Sequence, residues 1–201
     1  MGNYIGNLFI DVGMMDKLLF EDLRKFAIDL GAVDAKIIST NDVVVENRVV
    51  LKCKYGCSEY GRNWSCPPYV PSIEEFRYIL KEYEYAMIVV FQSLAELNDL
   101  ENFYKVWEED RRRAHEAILK LEKYAFNKGF TFALGMIPGN CNICPKCDVT
   151  KPCIHPEMLR FSPESVGVNL IKTLENAKIS LNFPIDKSIG RPSIVTMLLI
   201  N

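Results

Sequence analysis

The chain lacks the signatures of the commoner chemistries. No G-x-G-x-x-G, Walker A, G-x-S-x-G or H-E-x-x-H occurs in it, so nucleotide binding and the usual hydrolase mechanisms have no footing. There is no excess of basic residues: 24 Lys and Arg stand against 26 Asp and Glu, with a net charge of -2. A pI near 5.8 argues against a dedicated nucleic-acid binder. The one basic run, Arg111-Arg112-Arg113, follows Glu108-Glu109-Asp110. On a helix that arrangement reads as ion pairs three and four residues apart across a solvated face. No apolar run reaches the ~18 residues of a membrane span. The opening MGNYIGNLFIDVG has no basic leader region and too short an apolar stretch for a signal peptide. A cytosolic protein, without membrane or nucleic-acid contacts, is the expectation. Internal repeats and low-complexity linkers are also missing.

What the chain does have is an ordinary globular composition. Its 201 residues are 49% hydrophobic and 25% charged, which suits one domain spanning residues 1–201 with a real core. Apolar spacing predicts helices over 14–30, with Gly31 as its stop, over 97–128, closed by Gly129, and over 163–177, opened by Ser162 and Pro163. A further helix runs from Ser72 to about Tyr83; Ser72 and Glu75 make a capping box. Strands are expected at 35–39, 86–91, 130–137 and 193–200. Residues 43–53 read as a strand, or a strand and a turn, and 55–71 as a loop. The fold class is therefore α/β or α+β: a single small mixed sheet of about four strands, with flanking helices and metal-binding loops at 53–71 and 138–162. Residues 4–10 read as an arm able to add a strand to a partner subunit, which makes a homodimer an expectation.

The seven cysteines are the distinctive feature, and an odd number cannot pair fully into disulfides within one chain. In a reducing cytosol, clustered cysteines read as metal ligands or redox centres. Cys141, Cys144, Cys147 and Cys153 follow the spacing C-x2-C-x2-C-x5-C. Structural zinc usually takes two C-x2-C knuckles from separate turns. A short x2, x2 repeat instead wraps one cubic cluster and matches the first three ligands of the bacterial ferredoxin run. Cys153 is then the candidate for the fourth iron of a [4Fe–4S] cluster. Zinc stays open as the alternative. Pro145, Pro152 and Pro156 stiffen this loop, which lowers the entropy lost on closing around a metal. His155 is close enough to serve as an alternative ligand or to support the cluster from behind. His115, mid-helix among charges, reads as surface.

Cys53, Cys57 and Cys66 are spaced C-x3-C-x8-C. Three thiolates fall one short of a cubane, leaving one iron open to a substrate, a water or a non-cysteine ligand, as an open zinc position is. The bland reading is that these are buried, inert thiols. A radical S-adenosylmethionine site is disfavoured, because its C-x3-C-x2-C spacing would place the third cysteine six residues earlier. Tyr55, Tyr60, Trp64 and Tyr69 crowd the same loop and read as shielding for a metal. Arg62 and Asn63 are candidates to hold an anionic or amide substrate.

KCKYGCSEYGRNWSCPPYVPSIEEF, with GNCNICPKCDVTKPCIHPEMLRFSPESVGVNLIKTLENA, resembles the DUF2284 family of predicted metal-binding proteins over roughly residues 15–200. The resemblance rests on both cysteine blocks. It implies metal binding at Cys53, Cys57, Cys66, Cys141, Cys144, Cys147 and Cys153, and an anaerobic setting. It supplies no reaction. The residues themselves suggest one or two [4Fe–4S] clusters, working with a redox protein partner or a small-molecule ligand.

Overall fold

The computed structural model describes residues 12–181 and 191–201. Its helices are α1 (Val12–Asp29), α2 (Asn47–Gly56), α3 (Ile73–Leu80), α4 (Leu100–Asn127) and α5 (Leu170–Asn176). Its strands are β1 (Asp34–Ser39), β2 (Tyr85–Gln92), β3 (Leu134–Met136) and β4 (Ser193–Ile200). The strands form one sheet in the order β1-β2-β4-β3. The expected class holds, with one refinement: the sheet expected as mixed is antiparallel at all three pairings. The arm expected at residues 4–10 lies outside the described residues.

Both faces of the sheet are covered, which is why β2 and β4 read as nearly continuous apolar runs. Met87, Val89 and Phe91 of β2, with Ile194, Leu198 and Ile200 of β4, pack with Leu23 and Ala27 of α1 and with Ala114, Ile118 and Leu121 of α4. The alternate residues Ala86, Ile88, Val90, Met197 and Leu199 pack with Phe76 and Leu80 of α3 and with Leu174 of α5. The capping box that starts α3 is present in full: the Glu75 amide donates to Ser72 Oγ at 3.2 Å and the Ser72 amide to Glu75 Oε2 at 2.8 Å.

Three expected elements change. Residues 43–53 are not a strand. Only Val45 makes an isolated bridge, to Val168, and α2 begins at Asn47. α2 buries none of its residues, so its helical face carried no strong apolar stripe to be read. The strand expected at 130–137 shrinks to three residues. Gly129, with φ at +106°, caps α4, and hydrogen bonds from Thr131 to Gly129 and from Ala133 to Phe130 keep the intervening residues in a turn. The helix expected at 163–177 is broken. A 3-10 turn, Glu164–Val166, ends at Gly167 in the left-handed region, and Asn169 then caps a separate α5. Gly167 is required twice over, because a Cβ there would stand 3.1 Å from Ile73.

Candidate metal centre

The first cysteine loop starts on a helix. Cys53 sits in the last turn of α2 and Cys57 follows its end, the Cys57 amide donating to the Cys53 carbonyl. The chain then folds through short turns. The Arg62 amide donates to Glu59, the Cys66 amide to Asn63, and the Gly61 amide to Pro67. Cys66 is buried, Cys53 half-buried and Cys57 exposed.

The second loop leaves β3 at Met136. The Ile137 amide donates to Phe161, at the far end of the loop, at 3.0 Å. This contact closes the base of a segment that carries Cys141, Cys144, Cys147 and Cys153, all half-buried.

The two loops lock together. The Cys141 amide donates to Ser65 Oγ at 2.8 Å, and Asn63 Nδ2 donates to the Cys141 carbonyl at 3.0 Å. Trp64 Nε1 donates to the Lys151 carbonyl at 3.0 Å, and the Trp64 amide donates to Cys147 Sγ at 3.4 Å. An amide aimed at a thiolate sulfur is the kind of contact that tunes a bound cluster. Trp64 also packs on Tyr69, with ring centroids 4.7 Å apart. A cavity of about 730 Å³ lies between the loops, lined by Glu59, Arg62, Cys141, Cys144 and Cys147 among others.

The thiols sort into two groups by their mutual effects. Burial pushes the Cys66 thiol up to about 12; the Ser65 hydroxyl opposes this, and charge on Cys57, Glu59 and Cys53 adds to it. Burial also raises Cys53, helped by Cys57 and Glu164. Burial raises Cys141; the Ile143 amide works against it, while Cys144, Cys153 and Cys147 reinforce it. Each group thus feels its own members. The donors are free thiols, which suits a thiophilic metal. Among the described residues, no three His, Cys, Asp or Glu side chains gather tightly enough to hold one metal ion.

One face of α4 forms a rack behind the second loop, and the sequence reading missed it. Arg111 was expected on a solvated face. It is buried instead, donating from Nε to Pro138 at 3.1 Å and from Nη2 to the Asn140 carbonyl at 2.6 Å and Asn140 Oδ1 at 2.8 Å. Glu108 accepts from Arg111 and from Asn142. Asp110 is buried too, accepting from Ser93 and the Leu94 amide. His115, expected on the surface, is 1% exposed and contacts the Met158 carbonyl through Nε2 at 2.9 Å. That contact requires a proton on Nε2, and burial pulls the ring's pKa below its ordinary value. Glu122 holds Arg160 and the Gly135 amide. Positions 108, 111, 115 and 122 share one helical stripe, and polar residues on a stripe that also carries Ala114, Ile118 and Leu121 were the available signal.

The candidate substrate residues divide. Asn63 is buried and its amide is spent on Glu59 and Cys141. Arg62 is exposed and faces the second group's cavity rather than Cys53. His155 is half exposed beside Glu157, with Nδ1 3.6 Å from Oε1.

A protein-family model described as predicted metal-binding protein (DUF2284) matches residues 36–200. The chain belongs to this family. The match takes in both cysteine loops and the α4 rack, and begins within β1, so α1 falls outside it. No curated protein and no solved structure matches the chain. Membership in the DUF2284 family establishes the class, predicted metal binding, and leaves the metal to be argued from the thiols. No helix among the described residues is long and apolar enough to cross a membrane.

Proposed function

We propose that the protein is a cytosolic iron–sulfur protein with two [4Fe–4S] clusters. Cys141, Cys144, Cys147 and Cys153 hold a closed cluster that carries electrons. Cys53, Cys57 and Cys66 hold a second, whose fourth iron handles a small molecule in redox or sulfur chemistry. The observation that carries this reading is the sorting of seven thiols into two groups on loops joined through Ser65, Asn63 and Trp64. Such a junction suits electron exchange between adjoining centres. The x2, x2 spacing favours a cubane over zinc.

Anaerobic reconstitution should give about eight irons per chain, and Cys66→Ala should remove about half. About four irons, unchanged by Cys66→Ala, would overturn the two-cluster reading. Colourless protein with stoichiometric zinc from an anaerobic preparation would overturn iron altogether.

The exposure of Cys57 and the unburied α2 favour a second reading, in which only the downstream cluster forms and the protein is a carrier or assembly factor. Electron paramagnetic resonance separates the two. A signal perturbed by cyanide or sulfide indicates an accessible iron; a signal indifferent to both indicates the carrier.

A further inference from the structure

The three-cysteine group lacks a fourth protein ligand in its own loop, yet a buried carboxyl group lies against it. Glu164 opens the 3-10 turn Glu164–Val166, and this turn packs against α2, the helix that carries Cys53 and ends beside Cys57. Its Oε2 atom is cut off from solvent and has no hydrogen-bond partner. Burial pushes the carboxyl's pKa above its ordinary range, against hydrogen bonds from the Glu164 amide and Ser162, and an oxygen left there without a partner calls for an explanation.

The neighbouring groups narrow the explanation. Glu59, the other carboxylate near Cys66, is engaged by Asn63 at 3.2 Å and Asn140 at 3.4 Å. The Arg111 guanidinium is engaged by Glu108, Pro138 and Asn140. Glu164 instead borders a groove of about 930 Å³, lined also by Lys52, Tyr55 and Gly56 of α2. Gly56 lies between Cys53 and Cys57, and the space where its Cβ would stand is open.

We propose, building on the two-cluster reading, that Glu164 is the fourth protein ligand of the Cys53, Cys57 and Cys66 site, bound through Oε2 to the iron that lacks a thiolate. A metal cation there displaces the protons that burial keeps on these groups and binds the resulting carboxylate and thiolates together. A hard oxygen holds iron less firmly than a thiolate does. Glu164 therefore keeps the fourth iron in place at rest and yields to an incoming small molecule.

The test compares full-length wild type, Glu164→Ala, Glu164→Gln, Glu164→Cys and Cys66→Ala, reconstituted anaerobically with Mössbauer-active iron. Ala and Gln at position 164 should lose about one of the upstream cluster's four irons, along with the Mössbauer signal of an oxygen-ligated iron. Cys at that position should restore the iron and convert the signal to an all-thiolate one. Gln preserves the side chain's shape, so it remains informative if the Ala variant folds poorly, and circular dichroism melting checks each variant. Wild-type iron content and spectrum in both the Ala and Gln variants would overturn the assignment while Cys66→Ala still removes half the iron. If Cys66→Ala removes none, the three-cysteine site itself is wrong and the assignment falls with it.

Discussion

At the scale of single residues, a buried Cys66 thiol at the proposed site makes metal loading and acid–base chemistry inseparable. Only the thiolate binds a metal, yet burial pushes this thiol up to about 12. Loading must therefore expel a proton. The linkage sign follows. Below the unfolded thiol's pKa of ~8.5, both states hold the proton and Cys66 adds no pH dependence to folding. Between that value and about 12 the folded state holds a proton that the unfolded state has lost, so stability falls as pH rises. Metal-free wild type should lose stability above pH ~9 more steeply than Cys66→Ala, by up to ~1.4 kcal/mol per pH unit. Urea melts of the two proteins across that range check this. Identical slopes would mean that the thiol is not buried as described. Chelator competition should show the opposite trend for metal affinity, which climbs with pH because loading releases protons.

At the scale of elements, α4 is the part whose role changed most between sequence and structure. The Glu–Glu–Asp–Arg–Arg–Arg run reads as a solvated face, but its members have different fates. Arg112 is exposed, while Arg111 is buried and satisfies the carbonyls of Pro138 and Asn140 at the root of the second cysteine loop. Gly139 fits there because its φ is +69° and a Cβ would come within 3.0 Å of Arg111 Nη2. Arg111→Leu should cost ~2–4 kcal/mol, because it strands two carbonyls and leaves Glu108 with Asn142 but without its cation. Arg112→Ala should stay within ~0.5 kcal/mol. Equal effects in thermal melts would restore the solvated-face reading. The same contrast explains what was legible. The capping box at Ser72, the apolar run of β2 and the Gly129 stop all act over a few residues, so the sequence displays them directly. α2 was hidden because its Val-rich start favours a strand and it buries no side chain that would mark a helical face. The broken helix at Gly167 was hidden because its cause is tertiary: Ile73 crowds the Cβ position, and Glu46 takes the Gly167 carbonyl. The cysteine groups were legible from spacing; the side chains that join them come from distant parts of the chain and were not.

At the scale of the whole molecule, the fold brings together two loops separated in sequence by α3, β2, α4 and β3. Ser65 stands at their junction. Its hydroxyl accepts from the Cys141 amide at 2.8 Å, donates to Asn63 Oδ1 at 2.9 Å and lies 3.8 Å from Cys66 Sγ. While Cys66 keeps its proton, the thiol can donate toward Ser65. Once Cys66 is a thiolate on a metal, the serine proton is drawn from Asn63 toward sulfur. That rotation takes a donor from Asn63 Oδ1 and reorients the oxygen that accepts from the Cys141 amide, so loading one of the proposed sites would be felt by the other. Ser65→Ala should accordingly cost ~1–3 kcal/mol for the stranded Cys141 amide. It should also weaken metal retention at both groups, and its effect should be non-additive with Asn63→Ala by more than ~0.5 kcal/mol. Metal release against a chelator, measured in backgrounds that carry only Cys53, Cys57 and Cys66 or only the downstream four, reads each group separately. If Ser65→Ala speeds release from the upstream group alone, the junction is a packing contact and the two sites are independent.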